Sequence, residues 1–191
     1  MATKNRVYTL ALICLIVTIL NVVLSRFAAV TCPIVPGAAS LYFAIGFMIT
    51  FTLWFGLWGA IAAYLGCFIG AGLLMGMPLS VSLYWSLADL WQVIIPLVAF
   101  RTLHAGTGLQ TKRDFLIFLA FGIMLNNVVG AAWGSSMLAV GGQIQWDEVA
   151  GTFAGWLIGN IIITSVIGIL LLKFVTPYVI KAGLTVEKYW F

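Results

Sequence analysis

Apolar residues run through this chain in six blocks, 7–24, 38–55, 57–75, 81–100, 115–140 and 149–172, and the segments between and flanking them hold every charged residue but Asp89. A bilayer's hydrocarbon core, about 30 Å thick, is crossed by about 20 helical residues, so each block matches one crossing. The pattern predicts an all-α, polytopic membrane protein: a six-transmembrane-helix bundle forming a single integral membrane domain over 1–191. The division between the second and third blocks is set by length alone, because 38–77 carries no charged residue. One continuous helix over that stretch would reach about 60 Å, twice the hydrocarbon thickness. The chain is therefore expected to turn near Gly56 and Gly59, between Trp54 and Trp58, with both tryptophans suited to an interface.

Composition agrees: 63% of residues are hydrophobic and 7% charged, with a mean hydropathy of +1.16, against about 25% charged in a soluble domain. The basic residues assign sides. Lys4 and Arg6 precede the first block, Arg101, Lys112 and Arg113 lie between the fourth and fifth, and Lys173, Lys181 and Lys188 follow the sixth. Arg26 falls on the other side with Asp147 and Glu148. Lys and Arg favour cytoplasmic loops, so both termini are expected to be cytoplasmic, in a cell (inner or plasma) membrane. The net charge of +4 is this topology signal and calls for no nucleic acid; it also favours anionic lipids. The first block lacks a small-x-small cleavage site and is expected to remain as a signal anchor.

Several chemistries find no residues to carry them. Cys14, Cys32 and Cys67 are isolated, without the paired spacing of a zinc or redox site, and read as packing residues. His104 is the single histidine, so no metal and no cofactor is expected. No GxxxxGK[ST] run is present, so ATP energy would have to come from another subunit. No nucleophile with a base, metal set or carboxylate pair marks an enzyme.

Polar side chains inside the blocks are the informative ones, because each is costly at bilayer depth unless it meets a partner or a water-filled cavity. Asp89 is the one acid within a span, about 12 Å below the outer boundary, while Asn126 and Asn160 each sit about 17 Å from a boundary, near the midplane. Trp85, Asp89, Gln92 and Pro96 follow helical spacing on one face of the fourth span. Phe153, Trp156, Asn160, Thr164 and Gly168 do the same on the sixth. On the fifth, Asn126, Gly130 and Gly134 align beside Asn127. The candidate substrate-binding residues are Trp85, Asp89, Gln92, Asn126, Asn127, Trp156 and Asn160: indoles to stack on a flat molecule, amides to read its edge, and a carboxylate to accept hydrogen bonds or offset positive charge. The same amides could equally stitch helices together.

Small residues at Gly59, Ala62, Ala63, Gly66, Cys67, Gly70 and Ala71 let the third span approach another helix closely, within the bundle or on another subunit. Gly76 and Pro78 predict a tight turn before the fourth span. Pro96 is expected to kink that helix and free a backbone carbonyl. The external segment 26–37, RFAAVTCPIVPG, is apolar and fits either a lid over the outer mouth or a short re-entrant segment.

Six spans with internal termini, a long first external loop, the Gly-rich stretch PGAASLYFAIGFMITFTLWFGLWGAIAAYLGCFIGAGLL and no ATPase sequence resemble the substrate-binding S components of energy-coupling factor (ECF) vitamin transporters. That resemblance implies a vitamin-like, aromatic or heterocyclic ligand held in the outer half by the first loop and the later helices. It also implies docking on a membrane scaffold subunit with separate ATPase subunits. The family's AxxxA docking pattern on the first helix departs here to Ala11 followed by Leu15. WFGLWGAIAAYLGCFIG, GMPLSVSLYWSLADLWQ and GWLIGN are also similar to the MASE1 membrane sensor domain, which usually has about eight spans. An accessory subunit of a membrane complex is the third expectation.

Overall fold

The computed structural model describes residues 2–31 and 40–190. Six helices account for most of them: α1 (Ala2–Phe27), α2 (Ala44–Phe55), α3 (Leu57–Met75), α4 (Leu79–Thr102), α5 (Lys112–Val140) and α6 (Trp146–Lys181). All but α2 are long and apolar enough to cross a membrane, as expected of a multi-pass membrane protein. Two short strands, β1 (Ala29–Thr31) and β2 (Ser40–Tyr42), pair antiparallel with Ala29 opposite Tyr42.

The second block departs most from expectation. Its helix begins at Ala44 because Ser40–Tyr42 is taken up by the strand pair. The 12 residues of α2 rise about 18 Å, well short of the hydrocarbon thickness. A helix that is apolar all round belongs in the interior, and α2 packs against α1, α3, α4 and α6 with Ile45, Met48, Ile49 and Leu53 essentially inaccessible. Trp54, expected at an interface, is a core residue, its indole N–H donating to Thr176 Oγ1 at 2.8 Å.

Gly56 makes the α2–α3 turn, in a conformation with φ of 62° that favours glycine. This abrupt turn would leave the last carbonyls of α2 unpaired. Leu53 O instead accepts from Arg101 at 3.0 Å, and Trp54 O from the Val186 N–H at 2.8 Å. The guanidinium of Arg101 also donates to Val186 O at 2.6 Å and Lys188 O at 2.7 Å, while Arg6 reaches Thr185 O. The segment after α6 is thus strapped across the end of the bundle where Arg6, Arg101 and Arg113 gather.

The small residues of α3 face neighbours within the chain: Gly66 lies against Asn21, Gly70 against Val22 and Ser25, and Gly59 against Phe51 and Thr52. α1 buries this one side and leaves Leu12, Leu15, Ile16, Ile19 and Val23 exposed, as a lipid-facing helix does. Gly76, with φ of 82°, and Pro78 form the anticipated turn into α4. α5 begins at Lys112 on a capping box, Thr111 Oγ1 accepting from Asp114 N at 3.0 Å while Asp114 Oδ2 accepts from Thr111 N. α6 extends to 36 residues, past the 149–172 expected. The segment 26–37 falls partly outside the described residues, and Cys32 with it.

Candidate functional site

Three polar layers cross the bundle between the hairpin end and the basic end, spaced by single helical turns on α4 and α6. In the outermost, Trp85 and Trp156 meet edge to face, ring centroids 5.7 Å apart. One turn inward, at i+4 on each helix, come Asp89 and Asn160. One further turn brings Gln92 and Thr164. The sequence periodicity therefore corresponds to real layers, but the partners in each layer differ.

The inner layer is a stitch. Gln92 Nε2 donates to Asn127 Oδ1 at 2.6 Å, and Asn127 Nδ2 donates to Ile123 O at 2.8 Å and Thr164 Oγ1 at 3.5 Å, joining α4, α5 and α6. Asn126 has a specific structural task. Pro96 has no N–H, so the carbonyl of Gln92 four residues earlier loses its helical donor, and Asn126 Nδ2 supplies one at 3.1 Å. The carbonyl expected to be freed by Pro96 is freed, and α5 takes it. Gly130 admits the Gln92 side chain and Gly134 the Trp156 ring, which explains their alignment with Asn126.

The middle layer is different in kind. Tyr42 donates its hydroxyl to Asp89 Oδ2 at 3.1 Å, and Ser25 lies 2.7 Å from the same hydroxyl; with Tyr42 donating to the carboxylate, Ser25 is the second donor. Cys67 of α3 sits beside the Asp89 carboxyl group. Asn21, one turn before Ser25 on α1, is completely buried. Although Asp89 is 1% exposed, its Oδ1 has no hydrogen-bond partner among the described residues, and neither do Asn160 Nδ2, both amide atoms of Asn21, or Trp85 Nε1 above them. Gln92 Oε1 and Asn126 Oδ1 lack partners one layer below. Leaving such an atom unpaired costs about 1–3 kcal/mol, and folded proteins hold few of them. Here they concentrate in adjoining layers.

The backbone adds a second mark. Tyr42 precedes α2 and reaches Asp89, so the chain leaves the strand pair and becomes helical deep inside the bundle. Irregular backbone at such depth is tolerated where protein buries it or where it lines a cavity. Below the site the interior closes, with Leu97, Phe100, Phe118 and Ile123 buried and the Phe100 and Phe118 rings edge to face at 6.3 Å. A groove of about 440 Å³ lined by Leu103, Arg113, Leu116, Ile117, Ala120 and Phe121 lies at the basic end, away from these layers; its open, largely apolar wall offers little to hold a polar molecule, so the buried layers are the better site.

Of the seven residues named from sequence, Trp85, Asp89, Trp156 and Asn160 stand together around the middle layer, and Gln92, Asn126 and Asn127 form the stitch beneath. Three contributors were missed. Asn21 carried a readable signal, a lone amide within an apolar block, whereas Tyr42, an aromatic within the second block, and Ser25, just past the end of the first, carried none. No known family, curated protein or solved structure matches the chain at significant similarity.

Proposed function

We propose that this protein captures a small, flat, partly polar molecule in the middle layer and serves as the substrate-binding subunit of an ECF-type uptake transporter in the cell membrane. The topology that goes with this is six crossings with both termini cytoplasmic. The hairpin end then faces outward, and the α2 crossing is completed by the non-helical backbone at its outer end. The observation that carries the reading is the set of unpartnered, buried polar atoms on Asn21, Asp89 and Asn160 beneath the Trp85–Trp156 pair. Indoles offer apolar area to a ring, and amide and carboxylate atoms fix its edge, which is how binding sites for small molecules are composed. Transfer across the membrane would draw on a scaffold subunit and separate ATPase subunits.

Native mass spectrometry of the full-length protein, purified without ATP, tests capture. One small molecule should leave with the wild type and with Ser80→Ala, whose site is exposed, and should be largely missing from Asn160→Ala. Bare wild-type protein, or equal occupancy in all three, would defeat the reading.

A further inference from the structure

Resting on that capture reading, we infer that the molecule bound beside Asp89 is a cation, presenting an ammonium or a protonated ring nitrogen to the free Oδ1 of the carboxylate. The argument begins with charge. Asp89 is buried, and no positive side chain of the described residues answers it. Arg26, one residue beyond Ser25, is half-buried and holds its guanidinium 5.1 Å over the ring of Phe27, an exposed residue. Arg101 is three turns further along α4 and holds Leu53, Val186 and Lys188 carbonyls. The titratable neighbours that do face Asp89, Tyr42 and Cys67, carry no positive charge.

What the protein supplies instead is partial. Tyr42 donates to Oδ2, Ser25 backs that same hydroxyl from behind, and the weak S–H donor of Cys67 lies beside the carboxyl group. The N-terminal end of α2 lies a tyrosine's length away and contributes about half a positive charge. That leaves a carboxylate with one oxygen held by a single hydroxyl, the other without a hydrogen bond from the described residues, and a residual negative charge in a medium where an isolated ion is strongly disfavoured. A cationic donor at Oδ1 completes both the hydrogen bonding and the charge. The layer above fits the same ligand, because tryptophan is the side chain whose ring attracts cations best, and Trp85 and Trp156 stand one turn outward of the carboxylate.

The remaining orphan atoms shape the rest of the molecule. Asn160 brings an unpartnered amide N–H and Asn21 an unpartnered N–H and carbonyl to the same layer, so the ligand carries acceptors, and one further donor, away from its charged nitrogen. A flat heteroaromatic amine meets all of these demands at once. A neutral ring with acceptors only would leave Oδ1 facing another acceptor.

The test collects the molecule released from purified wild-type protein and passes it over a cation-exchange resin at pH 4, where a basic ring nitrogen is protonated, alongside native mass spectrometry of Asp89→Asn and Asp89→Glu. Retention on the resin, with occupancy reduced about ten-fold or more in Asp89→Asn and largely kept in Asp89→Glu, is the expected result. A molecule that flows through the resin uncharged or as an anion overturns the inference while leaving capture intact, and this arm needs no variant to fold. A retained molecule whose occupancy is unchanged in Asp89→Asn also overturns it, since the charge is then read elsewhere. Wild-type protein that carries nothing overturns both the inference and the capture reading beneath it.

Discussion

Pro96 and Asn126 should be energetically coupled, and the coupling can be worked out from one carbonyl. In wild type, Gln92 O lacks a helical donor because residue 96 is proline, and Asn126 Nδ2 fills the gap at 3.1 Å. Replacing Asn126 with Ala removes that donor and orphans a buried carbonyl. Side-chain hydrogen bonds between membrane helices average about 0.6 kcal/mol, and an unpaired buried acceptor costs about 1–3 kcal/mol, so a loss of about 1–2 kcal/mol is expected. In a Pro96→Ala background the ladder regains its N–H, Gln92 O is satisfied within α4, and the same Asn126→Ala change should cost about 0.5 kcal/mol. The volume lost at Asn126 is common to both backgrounds and cancels in a double-mutant cycle. The cycle should give a coupling of about 1 kcal/mol, roughly a five-fold change in the unfolding constant. Reversible unfolding of the four proteins in mixed detergent and SDS micelles, followed by circular dichroism, measures it. Costs that add to within about 0.3 kcal/mol would refute the assignment of Asn126 to the proline's carbonyl.

Two further perturbations probe the frame around the site. Gly66→Ala forces a methyl group against Asn21, while Gly151→Ala adds one where nothing lies within 4 Å. The first should destabilise the detergent-solubilised protein by about 1–3 kcal/mol, the second should be neutral or stabilising by up to about 1 kcal/mol, and equal melting temperatures for the two would remove close α1–α3 packing as the reason for a glycine there. Arg101→Ala releases the carbonyls of Leu53, Val186 and Lys188 together. Trypsin should then cut at Lys188 several-fold faster than in wild type, and an unchanged rate would mean the strap is held by Val186 and the backbone alone.

Much of the fold was legible because membrane helices announce themselves by length and apolarity. Five blocks became long helices, the Gly56 turn fell where the length argument put it, and the small residues of α3 mark its contacts with α1 and α2. The bounds of the second block misled because hydropathy cannot separate a helix from a strand that continues the same apolar run. Ser40–Tyr42 is uncharged and continuous with the apolar run of α2, yet it pairs as a strand and shortens that helix to 12 residues. Trp54 misled for a related reason. A tryptophan suits an interface only when its N–H finds its partner there, and Thr176, far away in sequence, provides one inside the core.

The site was legible by helix and depth, and illegible by partner. Spacing placed Trp85, Asp89 and Gln92 in successive turns of α4 and Trp156, Asn160 and Thr164 in successive turns of α6, which is how the structure layers them. Periodicity within one helix says nothing about which other helix supplies the facing group. Asn126 illustrates the consequence: by depth alone it ranks with Asn160, but a proline on the neighbouring helix gives it a donor's task that Asn160 does not have. Asn21, Ser25 and Tyr42 illustrate the converse, since α1 and the hairpin complete the layer around Asp89 from the far end of the chain. A stitch amide is recognised by the bond it makes and a ligand-facing amide by the bond it lacks, and only the packed structure distinguishes the two. On that criterion Asn127 is wholly a stitch, Gln92 and Asn126 are stitches that each keep one unpartnered oxygen, and the proposed site centres on the ring formed by α1, the hairpin, α3, α4 and α6 with α5 along its floor.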